Sequence, residues 1–264
     1  MGLSKSFFFR FAISLLFSAV GATAQKDYKL WLQYNAVGNS ALASEYKSNL
    51  KGIVVLGKSE TIKIAKSELQ TGFQDMLGII PEIKSDVKGE NNIILGSQLN
   101  LNAEIKNELK SDFDKINEEG FIIKSIFLKN KKQIVITGKN DVAVLYGVFN
   151  FLRILQTNKS VKNLNIADSP KTNIRILNHW DNLDRTVERG YAGFSLWNWQ
   201  KLPDFIDQRY IDYARANASI GINGTVLTNV NANALILTPQ YLEKVEALDN
   251  VFRPYGIKVY LTAR

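Results

Sequence analysis

The sequence predicts an α/β protein: a small N-terminal α/β sandwich domain followed by the first three strands of an incomplete (β/α)8 TIM barrel. Three observations predict it. Short apolar runs of strand length alternate with helical patterns along the whole chain. The surface cation changes near Ser169-Pro170, from 19 Lys and one Arg over residues 25–170 to four Lys and seven Arg over residues 171–264. Past that point the order is strict, strand-helix-strand-helix-strand, and polar residues gather where each strand ends, as at the mouth of a barrel.

The first region is built from recognisable parts. Gly52-Ile-Val-Val-Leu-Gly57 reads as a short buried strand. Ser59 opens a helix to about Leu77, with Ile62, Ala65, Leu69, Phe73 and Met76 at helical spacing and Gly78 as its stop. Asn92-Ile-Ile-Leu-Gly96 is a second strand. The runs Glu119–Leu128 and Gln133–Thr137 pair around the polar turn Lys129–Lys132. Asn140 or Asp141 then caps a helix carrying Val142, Leu145, Phe149 and Leu152 on one face. In the second region, Asn173–Asn178 is a strand that runs into the polar-aromatic loop His179–Asp184. The helix Asp207–Ile220 and the strand Gly224–Thr228 follow, the latter ending in Asn229–Asn233. Pro239 opens a helix to Phe252 with Leu242, Val245 and Leu248 facing inward, and Gly256–Thr262 is the third strand. A complete barrel takes roughly 250 residues. The sequence therefore reads as a truncated or fragmentary protein, with domains at 25–170 and 171–264 after a leader at 1–24.

The leader is the run Phe11–Val20, preceded by Lys5 and Arg10 and followed by Gly21-Ala-Thr-Ala24. Charged start, short apolar centre and small-residue end form the plan of a secretory signal with cleavage after Ala24. The run is shorter than the ~20 residues a membrane span needs. A periplasmic or extracellular location is expected, and no membrane partner. The absence of cysteine excludes a disulfide scaffold, a thiolate metal site and a catalytic thiol, and one histidine leaves no multi-histidine metal site. No cofactor is expected. Without Lys5 and Arg10 the chain holds 31 basic and 25 acidic groups, scattered among one another, so no stripe tracks a phosphate backbone and no nucleic-acid partner is expected. Gly52-x-x-x-x-Gly57-Lys58-Ser59 matches a phosphate loop by spacing alone, because Ile-Val-Val-Leu between the glycines reads as strand core.

The segment Asn178–Phe194 carries the chemistry. It mixes aromatic faces with acids, amides and guanidinia, the mixture that holds sugars: a ring plane meets C–H groups and fixed polar groups take hydroxyls. His179 reads either as a structural hydrogen-bonding residue or as a catalyst. Trp197 and Trp199 read as core or as sugar platforms. Asp181 and Glu188 read as sugar-binding or as loop caps and partners of Arg185 and Arg189. Two further polar clusters, Asn229 to Asn233 and Thr262 to Arg264, should face the same mouth.

Four stretches carry a resemblance: Arg175–Asp184, Val187–Gly193 with Ser195-Leu-Trp197, Asn217–Ala232 and Phe252–Arg264. Together they resemble the xylan α-glucuronidases of glycoside hydrolase family sixty-seven, whose N-terminal α/β domain, also seen in hexosaminidases, is similar to residues 26–170. The resemblance implies a (β/α)8 barrel enzyme that removes α-1,2-linked 4-O-methyl-glucuronic acid from xylo-oligosaccharides with inversion. Such chemistry needs an acid and a base ~6.5–9.5 Å apart, and the resemblance puts both on later strands, beyond Arg264. No catalytic residue is therefore assigned within this chain. The substrate-binding residues it implies are Trp180 as stacking wall, Asp181, Asn182 and Glu188 for hydroxyls, and Arg189 for site organisation or the uronate. Asn229 and Asn231 join them from the next strand end. Partners expected are glucuronoxylan-derived oligosaccharides and, for a full-length form, a second copy as a homodimer. Two alternatives stand beside this reading: a non-catalytic sugar-binding protein, and a hexosaminidase-like glycosidase with paired Asp-Glu at its fourth strand.

Overall fold

A computed structural model describes residues 28–262, so the expected leader and the last two residues of the Thr262–Arg264 cluster lie outside the described residues. A first unit runs to Asn35 and contains one 3-10 turn, Leu30–Leu32. The unit from Ala36 holds the remaining elements. It is a mixed α/β structure with two sheets. Among the described residues no helix is long and apolar enough to cross a membrane.

The first sheet has six strands in the order β2-β1-β3-β5-β4-β6. These are β1 (Gly52–Val55), β2 (Glu82–Lys84), β3 (Asn92–Leu95), β4 (Phe121–Leu128), β5 (Lys131–Gly138) and β6 (Asn165–Asp168). β2, β1, β3 and β5 run parallel, and β4 is antiparallel to both β5 and β6. β3 reads Asn-Ile-Ile-Leu and all four residues are buried, the signature of a strand covered on both faces. Successive residues explain how. Val135 shares one core cluster with Ile105 of helix α3 (Ala103–Glu108), Phe113 of helix α4 (Lys110–Phe113) and Leu109 between them. Its neighbour Ile136 points to the other face, where Gly147 of α5 (Asp141–Gln156) lies so close that an added Cβ would meet its Cγ2 at 2.8 Å. Helix α2 (Glu60–Leu77) packs against α5, with Phe73 and Phe151 edge to face at 6.3 Å. A further helix, α1 (Ser40–Asn49), precedes β1 and buries only Tyr46.

The expected caps are in place. Ser59 Oγ accepts from Ile62 N–H, Gly78 closes α2 with φ +66°, and Asn140, not Asp141, caps α5. Between β4 and β5 the turn is two residues, Lys129-Asn130, both with positive φ, so Lys131 and Lys132 belong to the strand. β1 stops at Val55 and Ser59 serves as a helix cap, so the apparent phosphate loop is a strand followed by a helix start. β6 keeps the chain in the first sheet as far as Asp168.

The second sheet has three parallel strands in sequence order: β7 (Ile176–Asn178), β8 (Gly224–Val226) and β9 (Lys258–Tyr260). Each is shorter than its apolar run suggests. Helix α6 (Gln208–Ser219), capped by Asp207, links β7 to β8, and α7 (Pro239–Phe252) links β8 to β9. Thr225 is fully buried and bonds Tyr213 of α6, so Leu177 and Val259, its register partners, share the helix side. The opposite face carries Asn178, Val226, Lys258 and Tyr260. On α7, Val245 and Leu248 are buried as expected, but Leu242, expected to face inward with them, is 42% exposed.

Three contacts pin the second sheet to the first. Arg215 of α6 donates through Nε at 2.8 Å and Nη2 at 2.6 Å to the buried Glu68 carboxylate of α2. Glu119 accepts from Arg175 and from Asn223 Nδ2 at 3.1 Å, at the starts of β7 and β8. Gly256, with φ +77°, lets β9 begin where a Cβ would stand 2.4 Å from Val142 Cγ1.

Candidate functional site

The loop that leaves β7 is held by bonds its own polar residues make. His179 N–H donates to Val226 O at 3.0 Å and Asn229 N–H to Asp181 O at 2.9 Å, which zips the loops after β7 and β8 together. Antiparallel bridges Asp181–Val187 and Thr186–Phe194 fold residues 179–194 back on themselves. Asp184 Oδ1 accepts from Thr186 N–H at 2.9 Å and Oγ1–H at 2.7 Å, and these bonds hold its carboxyl below the usual range. Asn182 Nδ2 donates to Thr186 Oγ1 at 3.0 Å and Glu188 O at 2.7 Å. The Asn182 amide is thus spent on the loop, a use that its presence in a polar run did not reveal.

Asp181 is buried. Its Oδ2 accepts from Ser195 Oγ at 2.5 Å, Ser195 in turn accepts from Trp197 N–H at 3.0 Å, and Oδ1 lies 3.8 Å from His179 Nδ1. Trp197 and Trp199 are both fully buried. Trp197 packs against His179, Tyr210, Tyr213 and Phe252 at centroid distances of 5.2 to 5.6 Å, so it is core. His179 Nε2 and Thr225 Oγ1 flank the Tyr213 hydroxyl at 2.8 and 2.9 Å. Burial pushes that phenol up to about 12. Burial also holds His179 below its usual range, with the Asp181 carboxylate opposing in part. The imidazole is therefore a neutral, packed, hydrogen-bonding group.

Outside this packed base stand the groups that face solvent. Trp180 is 47% exposed. Glu188 sits beside it, its N–H donating to Trp180 O at 2.8 Å. Its Oε2 is 3.5 Å from Asn229 Nδ2 and its Oε1 is 3.8 Å from Arg189 Nε. Glu188 has φ +58°, a left-handed conformation that a non-glycine residue adopts at a cost of about 1–3 kcal/mol. Such strain persists where the surroundings over-determine it, and here it turns a carboxylate toward the mouth of β8. Asn229 is buried and also accepts from Asn231 N–H at 2.9 Å. Arg189 and Asn231 are exposed. Thr262 belongs to the same mouth: its Oγ1 lies 2.9 Å from Thr228 O and 2.6 Å from Asn229 O, within donating reach of either, and ties the end of β9 to that of β8.

The structure thus brings Trp180, Glu188 and Asn229 together at one mouth, places Asp181 and Asn182 beneath them, and puts Arg189 and Asn231 at the rim. Sequence reasoning missed Tyr213 and Ser195. Tyr210 and Tyr213, one turn apart on α6, were the available signal for an aromatic face turned to the loop. An exposed indole beside a fixed carboxylate and a fixed amide can receive a sugar ring on its C–H face and bond its hydroxyls. Among the described residues no group of three His, Cys, Asp or Glu is placed to hold a metal.

Comparison with known proteins places this arrangement. The model of the glycosyl hydrolase family 67 N-terminus matches residues 30–151, and that of the family 67 middle domain matches residues 154–264. "Alpha-glucuronidase A" of Emericella nidulans is 30% identical over 254 residues, covering 92% of this chain and 29% of that protein. "Probable alpha-glucuronidase A" of Neosartorya fischeri is 34% identical over 252 residues, covering 92% of this chain and 28% of that protein. The same-named protein of Aspergillus terreus is 33% identical over 245 residues, with 89% and 28% covered. The chain thus spans less than a third of the length of these relatives. Among solved structures, a GH138 enzyme targeting pectin rhamnogalacturonan II aligns with TM-score 0.53 and 18% identity, over 80% of this chain and 31% of that one. A GH115 4-O-methyl-α-glucuronidase with specificity for decorated arabinogalactans aligns with TM-score 0.51 and 14% identity, over 78% and 28%. At those identities the likeness concerns the fold.

Proposed function

The chain belongs to glycosyl hydrolase family 67, and from this premise we propose that it is the amino-terminal part of an α-glucuronidase that removes α-1,2-linked (4-O-methyl)glucuronic acid from xylo-oligosaccharides. In this reading β7, β8 and β9 are the first three strands of a (β/α)8 barrel. Their parallel order, the helices between them and the polar residues at their C-terminal ends support that assignment.

One observation carries the reading for the site: the exposed Trp180 indole lies beside Glu188, held in a left-handed conformation against Asn229. Trp180 stacks on the sugar ring, Glu188 and Asn229 take hydroxyls, and Arg189 stands at the rim. Asp181 and Asn182 act from below by fixing the loop. Asp181 and Glu188 do not suit the inverting pair. Asp181 is buried and engaged, and Asp181 and Glu188 leave the same strand end, so they do not flank a scissile bond from opposite sides. The acid and base belong on strands after residue 264.

The test is the release of uronic acid from aldouronic acids by this chain and by a form extended to the length of its relatives. The extended form should turn over and the 264-residue chain should not. In the extended form Trp180→Ala or Glu188→Ala should lower kcat/KM by about 10–100-fold, the worth of one charge-assisted hydrogen bond or stacking contact. Turnover by the short chain that Glu188→Gln abolishes would move the catalytic acid into this loop. We also propose export with cleavage after Ala24; N-terminal sequencing of the secreted protein should begin at Gln25, and a mature protein that keeps Phe7 to Phe17 would overturn it.

A further inference from the structure

We propose that the end of the first sheet remote from the second is a docking surface for a polyanionic polysaccharide, an exposed aromatic ring set among lysines. Three stretches of chain build it. Phe127 lies opposite Lys132 in the β4–β5 hairpin, so the two side chains leave the same face of the sheet. The turn between them carries Lys129, and Lys131 opens β5. The loop between α5 and β6 is tied alongside. Lys132 Nζ donates to Lys162 O, Leu164 N–H donates to Ser125 Oγ at 3.1 Å, and Tyr46 of α1 donates to Lys159 O at 2.7 Å. Lysines far apart in the sequence thus converge at one place.

Their charges are not cancelled there. Lys129, Lys131 and Lys159 are exposed and make no ion pair among the described residues. Lys132 is spent on Lys162 O and on Asn49 Oδ1 at 3.4 Å, both neutral oxygens. Glu45 is the carboxylate that packs against these stretches, and it is engaged. It accepts from Ser160 Oγ at 2.6 Å and Val161 N–H at 2.9 Å and lies 3.7 Å from Lys162 Nζ. Glu90, on the neighbouring loop, pairs with Lys51 at 3.2 Å. In their midst the Phe127 side chain is left 69% exposed.

That combination selects the ligand. Ammonium heads are single point charges that answer carboxylates spaced along a chain. These cations include no arginine, whose planar fork suits phosphate. One ring is too little apolar area to enter a lipid surface, but it can lie on the C–H face of one sugar. Several weak contacts to one polymer reinforce one another through effective concentration, which a monosaccharide cannot exploit. The surface also leaves the mouth free. Glu119 and Val142, which meet the second sheet, flank the other end of the β4–β5 hairpin, and eight residues of β4 put roughly 25 Å between the two ends. The acidic-polysaccharide chemistry rests on this surface alone; taking the polymer as uronate-decorated xylan rests on the function proposed above.

The experiment is calorimetric titration of the 264-residue chain with glucuronoxylan, with the same polymer after reduction of its carboxyl groups to alcohols, and with phosphatidylglycerol vesicles. Glucuronoxylan should bind at low salt and weaken by about tenfold or more in about 0.5 M salt, where exposed charges are screened. The reduced polymer should bind about tenfold more weakly than the parent polymer, and the vesicles should not bind. The Lys129→Gln, Lys131→Gln, Lys159→Gln triple variant should weaken glucuronoxylan by about tenfold, and Phe127→Ser by about threefold. All four side chains are exposed, so circular dichroism should show the fold intact. Glucuronic acid, at a concentration that fills the Trp180 mouth, should leave polymer binding in place, and the triple variant should bind it as the parent does. Absence of glucuronoxylan binding, equal binding of the reduced polymer, or binding that the triple variant retains in full would overturn the surface. Polymer binding that glucuronic acid displaces would also overturn it and would support the mouth. Vesicle binding in place of polymer binding would overturn the polysaccharide and make this a lipid-facing surface. Polymer binding lost in the triple variant, with no glucuronic acid binding by the parent, would uphold the surface and count against the mouth.

Discussion

The two sheets of this chain solve burial in opposite ways. In the first, helices cover both faces, and Ile93, Ile94, Leu95, Val135 and Ile136 are sealed within about 1% of full burial. Its outer strands, β2 and β6, are short and polar, as edges that discourage further pairing should be. In the second, Thr225 is sealed on the helix side, but Lys258 and Tyr260 on the other face are exposed, and β7 and β9 are both edges. The residues there are spent on loops, with Asp184, Asn182, Asn229 and Thr262 bonding backbone that no strand pairs. Among the described residues the first region closes both faces of its sheet, and the second leaves one face and two strand edges uncovered.

The largest consequence is in resistance to local opening. Few buried contacts and unpaired strand edges lower the free energy of opening. Limited proteolysis of the 264-residue chain should cut within residues 171–262 well before it cuts within 36–170. Equal resistance of the two regions would break the comparison, because it would mean that the second sheet closes as fully as the first.

The next consequence concerns the seam. Glu68 is almost fully buried and the Arg215 guanidinium is only partly exposed. Deleting one partner of a buried pair leaves the other charge uncompensated and costs about 3–5 kcal/mol. Glu68→Ala should therefore destabilise the chain by about that amount in urea. The Glu68→Leu, Arg215→Met double variant should recover much of the loss. A single variant as stable as the parent would show that the second region does not lean on the first.

The contrast also explains what the sequence made legible. Helices α2, α5, α6 and α7 were readable because each has a start signal and an apolar stripe: the caps Ser59, Asn140 and Asp207, and Pro239 in the first turn of α7. The hairpin β4–β5 was readable from its two apolar runs. Edge strands β2 and β6 were not, since Glu-Ile-Lys and Asn-Ile-Ala-Asp expose most of their side chains and carry no pattern. Helix α1 escaped for a similar reason, with one buried residue in ten. At the site, residue type supports the sugar-binding loop proposed above but not the division of labour within it. Trp180 and Trp197 look alike in sequence; one is half exposed on the folded-back loop, and the other fills the core among His179, Tyr210, Tyr213 and Phe252. Asp181 and Glu188 are likewise alike in charge but differently placed: Asp181 is sealed against Ser195, and Glu188, with a positive φ, is part-buried against Asn229.

The smallest effect lies in the one part of the second region that is closed, the aromatic base around Trp197. There His179 is packed against Trp197 and Tyr213, with Asp181 as the facing charge. Burial disfavours the imidazolium more than Asp181 favours it, so the folded chain resists protonation that an unfolded histidine accepts near its usual pKa of about 6.5. Between the depressed folded value and that unfolded value the unfolded chain binds more protons. Stability from this residue is therefore fully present above about pH 6.5 and is lost as pH falls through the window below it. Thermal unfolding from about pH 7.5 to about pH 5 should show an acid-side decline that His179→Gln, neutral throughout and still able to bond Tyr213, makes shallower. Asp181→Asn, which removes the opposing charge, should make it steeper. If the parent and His179→Gln lose stability in parallel, His179 titrates as though in water, and the aromatic base of the second region is as open as its sheet.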